Sequence, residues 1–266
     1  MISYSKADFI EGAINALNIF QDKNDAQASI NFRANCAEYY KKRVIDTNDF
    51  DLKHLWSLVY EAIIKTPSEN LISTIGSQGF LSVPICRIEK LPDSFYFLRL
   101  HIWHNDFKKY FDEDKFENFA IHSHQFHANS LILAGEVFNT RVLVTESELE
   151  KNSSLFKIDW EKDPKNINQK TSVAINTERG ITNVPQIKES YKQGDSYEIT
   201  AGEYHLSRTN PDKEISATLF LFSSEKSYTG KSNVVGPSSV KKSTINRKHV
   251  IDCMPYIEQL NNLINE

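Results

Sequence analysis

The spacing of apolar residues divides the chain into two parts. From Ser5 to about Ile75, apolar residues recur three or four positions apart, which predicts three or four helices within residues 1–79. They fall into two main groups: Phe9, Ile10, Ala13, Ile14, Leu17 and Phe20, then Leu52, Leu55, Trp56, Leu58, Val59 and Ile63. Ser5 is the predicted N-cap of the first helix, and Thr47-Asn48-Asp49 supplies one before the helix of Trp56. The stretch from Asn24 to Ile45 is more polar, so we expect it to lie across the outside.

From residue 80 onward the pattern changes to short runs rich in β-branched and aromatic residues. The predicted strands are Phe80 to Cys86, Ser94 to Trp103, Phe119 to His124, Ser130 to Ala134, Glu136 to Val144, Ser196 to Thr200 and Ser216 to Phe222. Many short strands separated by turn residues predict a barrel or a sandwich over residues 80–240.

Two further segments complete the predicted organisation. The polar stretch from Glu146 to Lys192 is expected to form a long insertion between strands. Within residues 241–266, the spacing of Ile257, Leu260 and Leu263 predicts a C-terminal helix that packs on the body. The predicted fold class is therefore α+β, mainly β, with an N-terminal helical region.

Composition and charge exclude several classes of protein. The net charge is -4, and no cluster of Lys and Arg alternates with aromatic residues, so we expect no nucleic acid partner. The first 20 residues lack the apolar core of a signal peptide, and no uncharged apolar run is long enough to span a membrane. Cys36, Cys86 and Cys253 are widely spaced and odd in number, which argues against a disulfide framework and favours a cytoplasmic protein.

Three histidines carry the clearest chemical signal. His122 and His124 lie two residues apart in a predicted strand, where alternate side chains point the same way, so both can bind one ion. His205 lies in a second predicted strand about eighty residues later. Three protein nitrogens leave coordination positions open for water or substrate, as catalytic metal sites require. Neutral imidazole suits Fe(II), Zn, Mn, Ni or Cu, so the residues alone leave the ion open.

The residues around these histidines resemble the two-part motif of the cupin superfamily. In its second part, Gly194, Gly202 and His205 fall in step with the family pattern, while Thr200 replaces a proline and Asn210 lies one place late. In its first part, His122, His124 and Gly135 match, but Phe116 stands where a glycine is usual. The family's glutamate ligand is replaced by Ala128 or Asn129. The resemblance implies a cupin barrel, which is a double-stranded β-helix or jelly roll.

Without the glutamate, the set of three histidines is similar to that of the thiol dioxygenases, which hold ferrous iron. The resemblance therefore implies Fe(II) as the metal. By spacing from His205, however, the catalytic histidine and tyrosine of that family fall at Phe220 and Phe222, which cannot exchange a proton. We expect thiols to fail as substrates.

Four further residues are candidates for the site. His127, close to the position of the missing glutamate, is a candidate fourth ligand, proton shuttle or surface residue. Arg99 and His101 share one face of a predicted strand: if that face looks into the barrel, Arg99 can grip a substrate carboxylate and His101 can manage protons. The alternative places Arg99 on the barrel exterior, paired with the helical half. Arg87 is either a second substrate anchor or a residue of the rim.

Three functions remain open at this point. The first is an iron-dependent oxygenase in which a small polar or anionic substrate and dioxygen meet at the metal. The second uses the metal as a Lewis acid for isomerisation, decarboxylation or hydrolysis. The third is a non-catalytic ligand-binding or scaffolding cupin. Cupins often pair through their barrels, so a homodimer is one option for the assembly.

Overall fold

The helices of the computed structural model lie mainly at the N-terminus. The structure describes residues 3–17, 23–76, 78–91, 94–149, 152–160, 171–246 and 249–266. Its α-helices are α1 (Lys6–Leu17), α2 (Lys23–Tyr39), α3 (Leu52–Ile64), α4 (Glu113–Asn118) and α5 (Met254–Asn265). A π-helical segment, Tyr40–Asp46, extends α2, and short 3-10 helices cover Ser68–Asn70 and Asn105–Tyr110. None of the helices in these residues combines the length and apolar character that a membrane span needs.

The strands form two antiparallel sheets. They are β1 (Thr74–Ile75), β2 (Leu81–Leu91), β3 (Ser94–His104), β4 (His122–Ser123), β5 (Phe126–Ala134), β6 (Glu136–Glu146), β7 (Ser153–Trp160), β8 (Thr171–Lys192), β9 (Ser196–Ile199), β10 (Tyr204–Thr209), β11 (Ile215–Tyr228), β12 (Asn233–Pro237), β13 (Lys242–Asn246) and β14 (His249–Val250). The first sheet has the order β14-β1-β2-β3-β11-β5-β9, and the second has the order β13-β8-β6-β10-β4-β12-β7. The mainly β architecture with an N-terminal helical region is confirmed.

The first sheet is covered on both faces, which explains why its central strands are apolar almost throughout. On one face, Leu98, Leu100 and Leu219 pack in a single core with helical residues such as Trp56. On the other face, Phe220 of β11 packs in a core with Val137 of the second sheet. Alternation along each strand therefore assigns every side chain of β3 and β11 to the helices or to the space between the sheets.

The interpretation of residues 24–45 as an outer polar segment is wrong. One side of α2 and its extension is buried, including Cys36 and Tyr40 at 0% exposure. The buried side includes a charged residue, Arg33, at 1% exposure, and this is why the sequence of the segment looked polar. Its guanidinium donates to the carbonyls of Pro84 (2.6 Å) and Ile85 (3.2 Å), so the charge is accommodated by backbone oxygens of β2.

The two predicted N-caps have different outcomes. Ser5 precedes α1, and its hydroxyl accepts from the Asp8 amide at 3.3 Å, so this cap is confirmed. For α3 the cap is Asp51 rather than residues 47–49, because the Asp51 carboxylate accepts from the amide of His54 at 3.0 Å. Any of these short polar side chains can cap a helix, and position relative to the first turn decides between them.

The expected insertion at residues 146–192 is largely strand. β7 and the 22-residue β8 occupy most of it, and residues 161–170 lie outside the described part. The first half of β8 pairs with β7 and β13, and the second half pairs with β6. Most side chains of the second half are exposed, which is why its composition resembles that of a loop.

The C-terminal segment contains the predicted helix, α5, after β13 and β14. Ile257, Leu260 and Ile264 are buried in the main core, whereas Leu263 is 42% exposed. The buried stripe therefore follows positions i, i+3 and i+7, one residue beyond the predicted spacing.

Candidate metal centre

His122, His124 and His205, the histidine trio, come together where the chain passes between the sheets. His122 in β4 lies directly opposite His205 in β10 in an antiparallel pair. His124 follows β4, just before the chain enters β5 of the first sheet. The strand pairing of the second sheet thus brings together two histidines that are eighty-three positions apart, while the i, i+2 spacing brings the third.

The three rings face one another closely. Their centroids are 4.5 Å apart for His122 and His205, 4.8 Å for His124 and His205, and 4.9 Å for His122 and His124. One ligand nitrogen from each ring lies within 4.8 Å of the other two. Among the described residues, this is the group of histidine, cysteine or acidic side chains that meets the distances of a metal site.

Hydrogen bonds orient two of the rings. Nδ1 of His122 lies 2.8 Å from the carbonyl oxygen of Ala120, and Nδ1 of His205 lies 3.5 Å from that of Glu203. A carbonyl only accepts, so each of these Nδ1 atoms carries a proton, and Nε2 is the nitrogen that can serve as a metal ligand. Burial, followed by the neighbouring His122, lowers the pKa of His205 well below its usual value, so His205 is neutral at pH 7. A neutral imidazole with its proton on Nδ1 binds metal through Nε2, and this is the form of His205.

The trio fits a divalent ion in chemistry and approximately in distance. An ion about 2.1 Å from each nitrogen holds these nitrogens roughly 3 to 3.5 Å apart, so the rings need to close by at most about 1 to 2 Å. Of the two residues expected to replace a glutamate ligand, Ala128 packs with Phe220 between the sheets, whereas Asn129 accepts from the Tyr40 hydroxyl at 2.5 Å on the helical side. The trio is therefore a neutral three-nitrogen set.

The turn before β10, residues Thr200 to Glu203, touches two members of the trio. Gly202 has a φ of 83°, which a residue with a side chain rarely adopts, and this explains the glycine. Its amide donates to the carbonyl of His124 at 2.8 Å, while the carbonyl of Glu203 faces His205. The motif glycine thus ties the backbone of one histidine to the turn that carries another.

Two phenylalanines of β11 form the apolar wall beside the trio. The ring of Phe222 lies 4.8 Å from that of His124, and the ring of Phe220 lies 5.8 Å from it. These are the two positions predicted from the spacing after His205. Phenyl rings, which cannot exchange a proton, therefore occupy both positions.

Arg99 and His101 lie on the face of β3 that looks toward the second sheet. Arg99 is directly opposite Phe220, and its guanidinium carbon is 3.9 Å from the centre of the Phe97 ring. His101 stacks between Phe80 (4.1 Å) and Phe220 (5.1 Å). The alternative in which Arg99 pairs with the helical half does not hold, because Leu98 and Leu100 occupy that face. Burial and the nearby Arg99 lower the pKa of His101 well below its usual value, so its ring is neutral.

Arg87 shares this face but has a carboxylate partner. It lies directly opposite Phe97, with its guanidinium carbon 5.8 Å from the ring centre. Its Nη2 donates to Glu89 at 2.5 Å. Arg87 is thus near the interior between the sheets, with its charge balanced by Glu89.

The structure does not bring His127 to the trio. His127 shares one face of β5 with Asn129, and Ala128 between them takes the face toward Phe220. Its Nε2 lies 3.7 Å from a carboxylate oxygen of Glu198 on that helical face. Glu136, the acidic residue that follows Gly135, accepts from Ser190 (2.6 Å) and Asn210 (2.7 Å) instead of facing the histidines.

Sequence reasoning missed Arg141, which lies directly opposite His205 on β6. Its guanidinium donates to the carboxylates of Glu203 and Glu189 and to the carbonyl of Glu198. No motif marks this arginine. The signal that could have found it is a lone cation in a strand whose other charged residues are the terminal Glu136 and Glu146, on the same alternation as Val137 and Asn139.

Comparisons with known proteins give little further information. No protein-family model and no curated protein matches the chain. Among solved structures, hydroxypropylphosphonic acid epoxidase from S. wedmorenis is 10% identical, with a TM-score of 0.30 over 82% of this chain and 97% of that chain. A structure of Fe(II) HppE is 8% identical, with a TM-score of 0.30 over 73% and 99%. Drosophila melanogaster CENP-C bound to CAL1 is 12% identical, with a TM-score of 0.24 over 59% and 82%. TM-scores this low support no conclusion about the fold or the function of this chain. What the structure itself defines is a mainly β protein with a three-histidine group between two antiparallel sheets.

Proposed function

We propose that this chain is a cupin oxygenase that holds a divalent metal, Fe(II), on His122, His124 and His205. The observation that carries the proposal is the convergence of the three rings, with ligand nitrogens within 4.8 Å of one another. The motif glycines support the cupin assignment, because Gly135, Gly194 and Gly202 all have positive φ. Iron is favoured over the other ions by the resemblance of the neutral trio to the thiol dioxygenase set.

When bound, ferrous iron would supply open positions at which dioxygen and a substrate can meet. The protein's own residues determine what reaches that place. Phe220 and Phe222 cover one side of the trio with apolar rings, which would limit access of water there and offer an apolar surface to the substrate. The backbone carbonyls of Ala120 and Glu203 hold two rings in the tautomer that presents Nε2.

The proposed substrate is a small molecule with an anionic or polar end. Arg99 is the proposed anchor for that end, because it lies on the face between the sheets next to Phe220. Arg87 is a weaker second anchor, since Glu89 already balances its charge. His101 is proposed to hold a proton or a hydrogen bond to the substrate as a neutral ring. No catalytic role is proposed for His127, because it lies on the face of β5 that is directed away from Phe220.

The experiment that tests this function combines metal analysis with oxygen uptake. The protein purified without chelator is loaded anaerobically with Fe(II), and dioxygen consumption is followed with small carboxylates, amino acids and thiols. We expect metal binding near one equivalent, and oxygen uptake with a non-thiol anion. His124→Ala should abolish both, whereas His54→Ala, which removes an exposed histidine of α3, should change neither.

Two results would contradict the proposal in different ways. A folded wild-type protein that binds no divalent metal would favour a non-catalytic ligand-binding protein. Metal-dependent turnover that continues without oxygen would favour the Lewis-acid reading, with isomerisation, decarboxylation or hydrolysis as the reaction.

A further inference from the structure

The turn formed by Thr200, Ala201, Gly202 and Glu203 is bonded to two of the three histidines through its backbone. The amide of Gly202 donates to the carbonyl of His124 at 2.8 Å, and the carbonyl of Glu203 lies 3.5 Å from Nδ1 of His205. A shift of this turn would therefore move the backbone of one ligand and rotate the ring of another. The position of the turn is part of the geometry of the site.

The side chain of Glu203 fixes the turn from both ends. One carboxylate oxygen accepts from the amide of Thr200 at 3.0 Å, which closes the turn on itself. The other accepts from Nη1 of Arg141. Arg141 lies on β6 directly opposite His205, so the salt bridge connects the turn to the strand beside it.

Arg141 also reaches the other sheet. Its Nε donates to Glu189 of β8 at 3.0 Å, and its Nη2 donates to the carbonyl of Glu198 in β9 at 2.9 Å. β9 belongs to the first sheet and β6 to the second. One guanidinium therefore links β6, β8 and β9 to the turn, and its side chain is only 27% exposed.

We infer that Arg141 is a positioning residue: with Glu203 it clamps the Thr200–Glu203 turn and so holds His205 and His124 in the arrangement that binds metal. The inference rests on the proposed function, since it concerns the same metal. All three kinds of guanidinium nitrogen of Arg141 donate to protein oxygens. A substrate anion would have to displace two carboxylates to reach it.

The role inferred for Arg141 differs from simple structural support, because removal of its side chain should change the metal affinity. Groups that orient metal ligands without touching the ion typically contribute 10- to 100-fold in affinity when removed. The planar fork of arginine makes three separate bonds here, and lysine cannot reproduce that geometry. Lysine should therefore rescue only part of the effect.

The test is a Co(II) titration of the metal-free protein, followed by the visible absorption of the bound ion and by competition with a chelator. We expect Arg141→Met to weaken Co(II) binding about 10- to 100-fold, and Arg141→Lys to weaken it less. Glu203→Gln keeps the size of the side chain but breaks the charge pair, and we expect a loss in the same direction. Arg208→Met is the matched control, because Arg208 lies on β10 with its guanidinium on Glu117 (2.8 Å) and alternates away from His205.

The outcomes separate this inference from the proposed function. The wild-type titration tests the function, and the ratio of variant to wild-type affinity tests the clamp. Co(II) affinities of Arg141→Met and Glu203→Gln within about twofold of wild type would overturn the inference, even if the wild type binds metal well. A loss in Arg208→Met equal to that in Arg141→Met would overturn it as well, because it would show a general effect on the sheet. Thermal unfolding of each metal-free variant identifies any that fail to fold, and Glu203→Gln then decides.

Discussion

Thr218 lies directly opposite His101 across the β3–β11 pair, on the face between the sheets. Thr218 is 0% exposed and His101 is 4% exposed. Within the described residues, neither the Thr218 hydroxyl nor Nε2 of His101 has a hydrogen-bond partner. Buried polar groups are nearly always bonded, so this pair is a costly feature of the fold unless solvent or a ligand meets it.

We predict that Thr218→Val leaves the free energy of unfolding unchanged or raises it by up to about 2 kcal/mol, because valine has the same shape without the unsatisfied hydroxyl. The matched control is Thr66→Val. The Thr66 hydroxyl donates to Ala62 at 2.8 Å and accepts from Arg33 at 3.0 Å, so we expect that variant to lose about 1 to 3 kcal/mol. Urea unfolding measures both. A comparable loss in Thr218→Val would show that ordered solvent bonds its hydroxyl in the interior.

We expect a divalent metal to stabilise the wild type against heat and to leave His205→Ala unchanged. An ion present at about 100 times its dissociation constant adds about 2.7 kcal/mol to the folded state. For a chain of this size that corresponds to a rise in Tm on the order of 5 to 10 °C. Differential scanning fluorimetry with Co(II) or Zn(II), with EDTA as the reversal, measures the shift. An equal rise in His205→Ala would indicate binding elsewhere.

The sequence predicted most of the elements, but it misjudged those whose polarity has an unusual cause. The helical spacing around Trp56 and the apolar run of β3 gave correct elements, because both bury many apolar residues. The strand β8 was missed because its second half has a solvent-facing side. The buried side of α2 was missed because Arg33 is held by backbone carbonyls, which no sequence pattern shows.

The candidate site was predictable as far as local spacing extends. The separation of His122 and His124 places them together on any strand, and the glycine pattern brings in His205. The place of Arg141 opposite His205, and the face of β5 on which His127 lies, depend on strand register and on which face of each strand is directed inward. Alternation makes both depend on a single residue of register, and the sequence does not indicate where β5 begins.

His127 should be dispensable for the metal. We predict that His127→Gln binds Co(II) within about twofold of the wild-type affinity, because His127 lies on the opposite face of β5 from the wall beside the trio. The same titration with His124→Ala gives the scale of a true ligand loss. If His127→Gln weakened binding by tenfold or more, the assignment of faces in β5 would be wrong.

Cys36 of α2 and Tyr40 of its extension lie in the core beneath α2, and we predict that both make the protein less stable in alkaline solution. Burial raises the pKa of the Cys36 thiol from 9.0 to about 12, and it raises the pKa of the Tyr40 hydroxyl well above 10.0. Because each folded-state pKa lies above the unfolded one, the unfolded chain releases these protons first. The contribution of Cys36 is complete below about pH 9, and that of Tyr40 below about pH 10. Above that pH each contribution is lost at about 1.4 kcal/mol per pH unit as the pH rises toward the folded-state pKa. Urea unfolding between pH 7 and 10.5 measures the slope of the free energy of unfolding against pH.

Above pH 9, Cys36→Ala should make this slope shallower by the equivalent of about one proton. Ile85→Val removes volume at a residue that is 0% exposed, so it should lower the free energy of unfolding equally at every pH. An unchanged slope in Cys36→Ala would mean that its thiol ionises in the folded protein as readily as in the unfolded chain, and therefore that the core beneath α2 admits water.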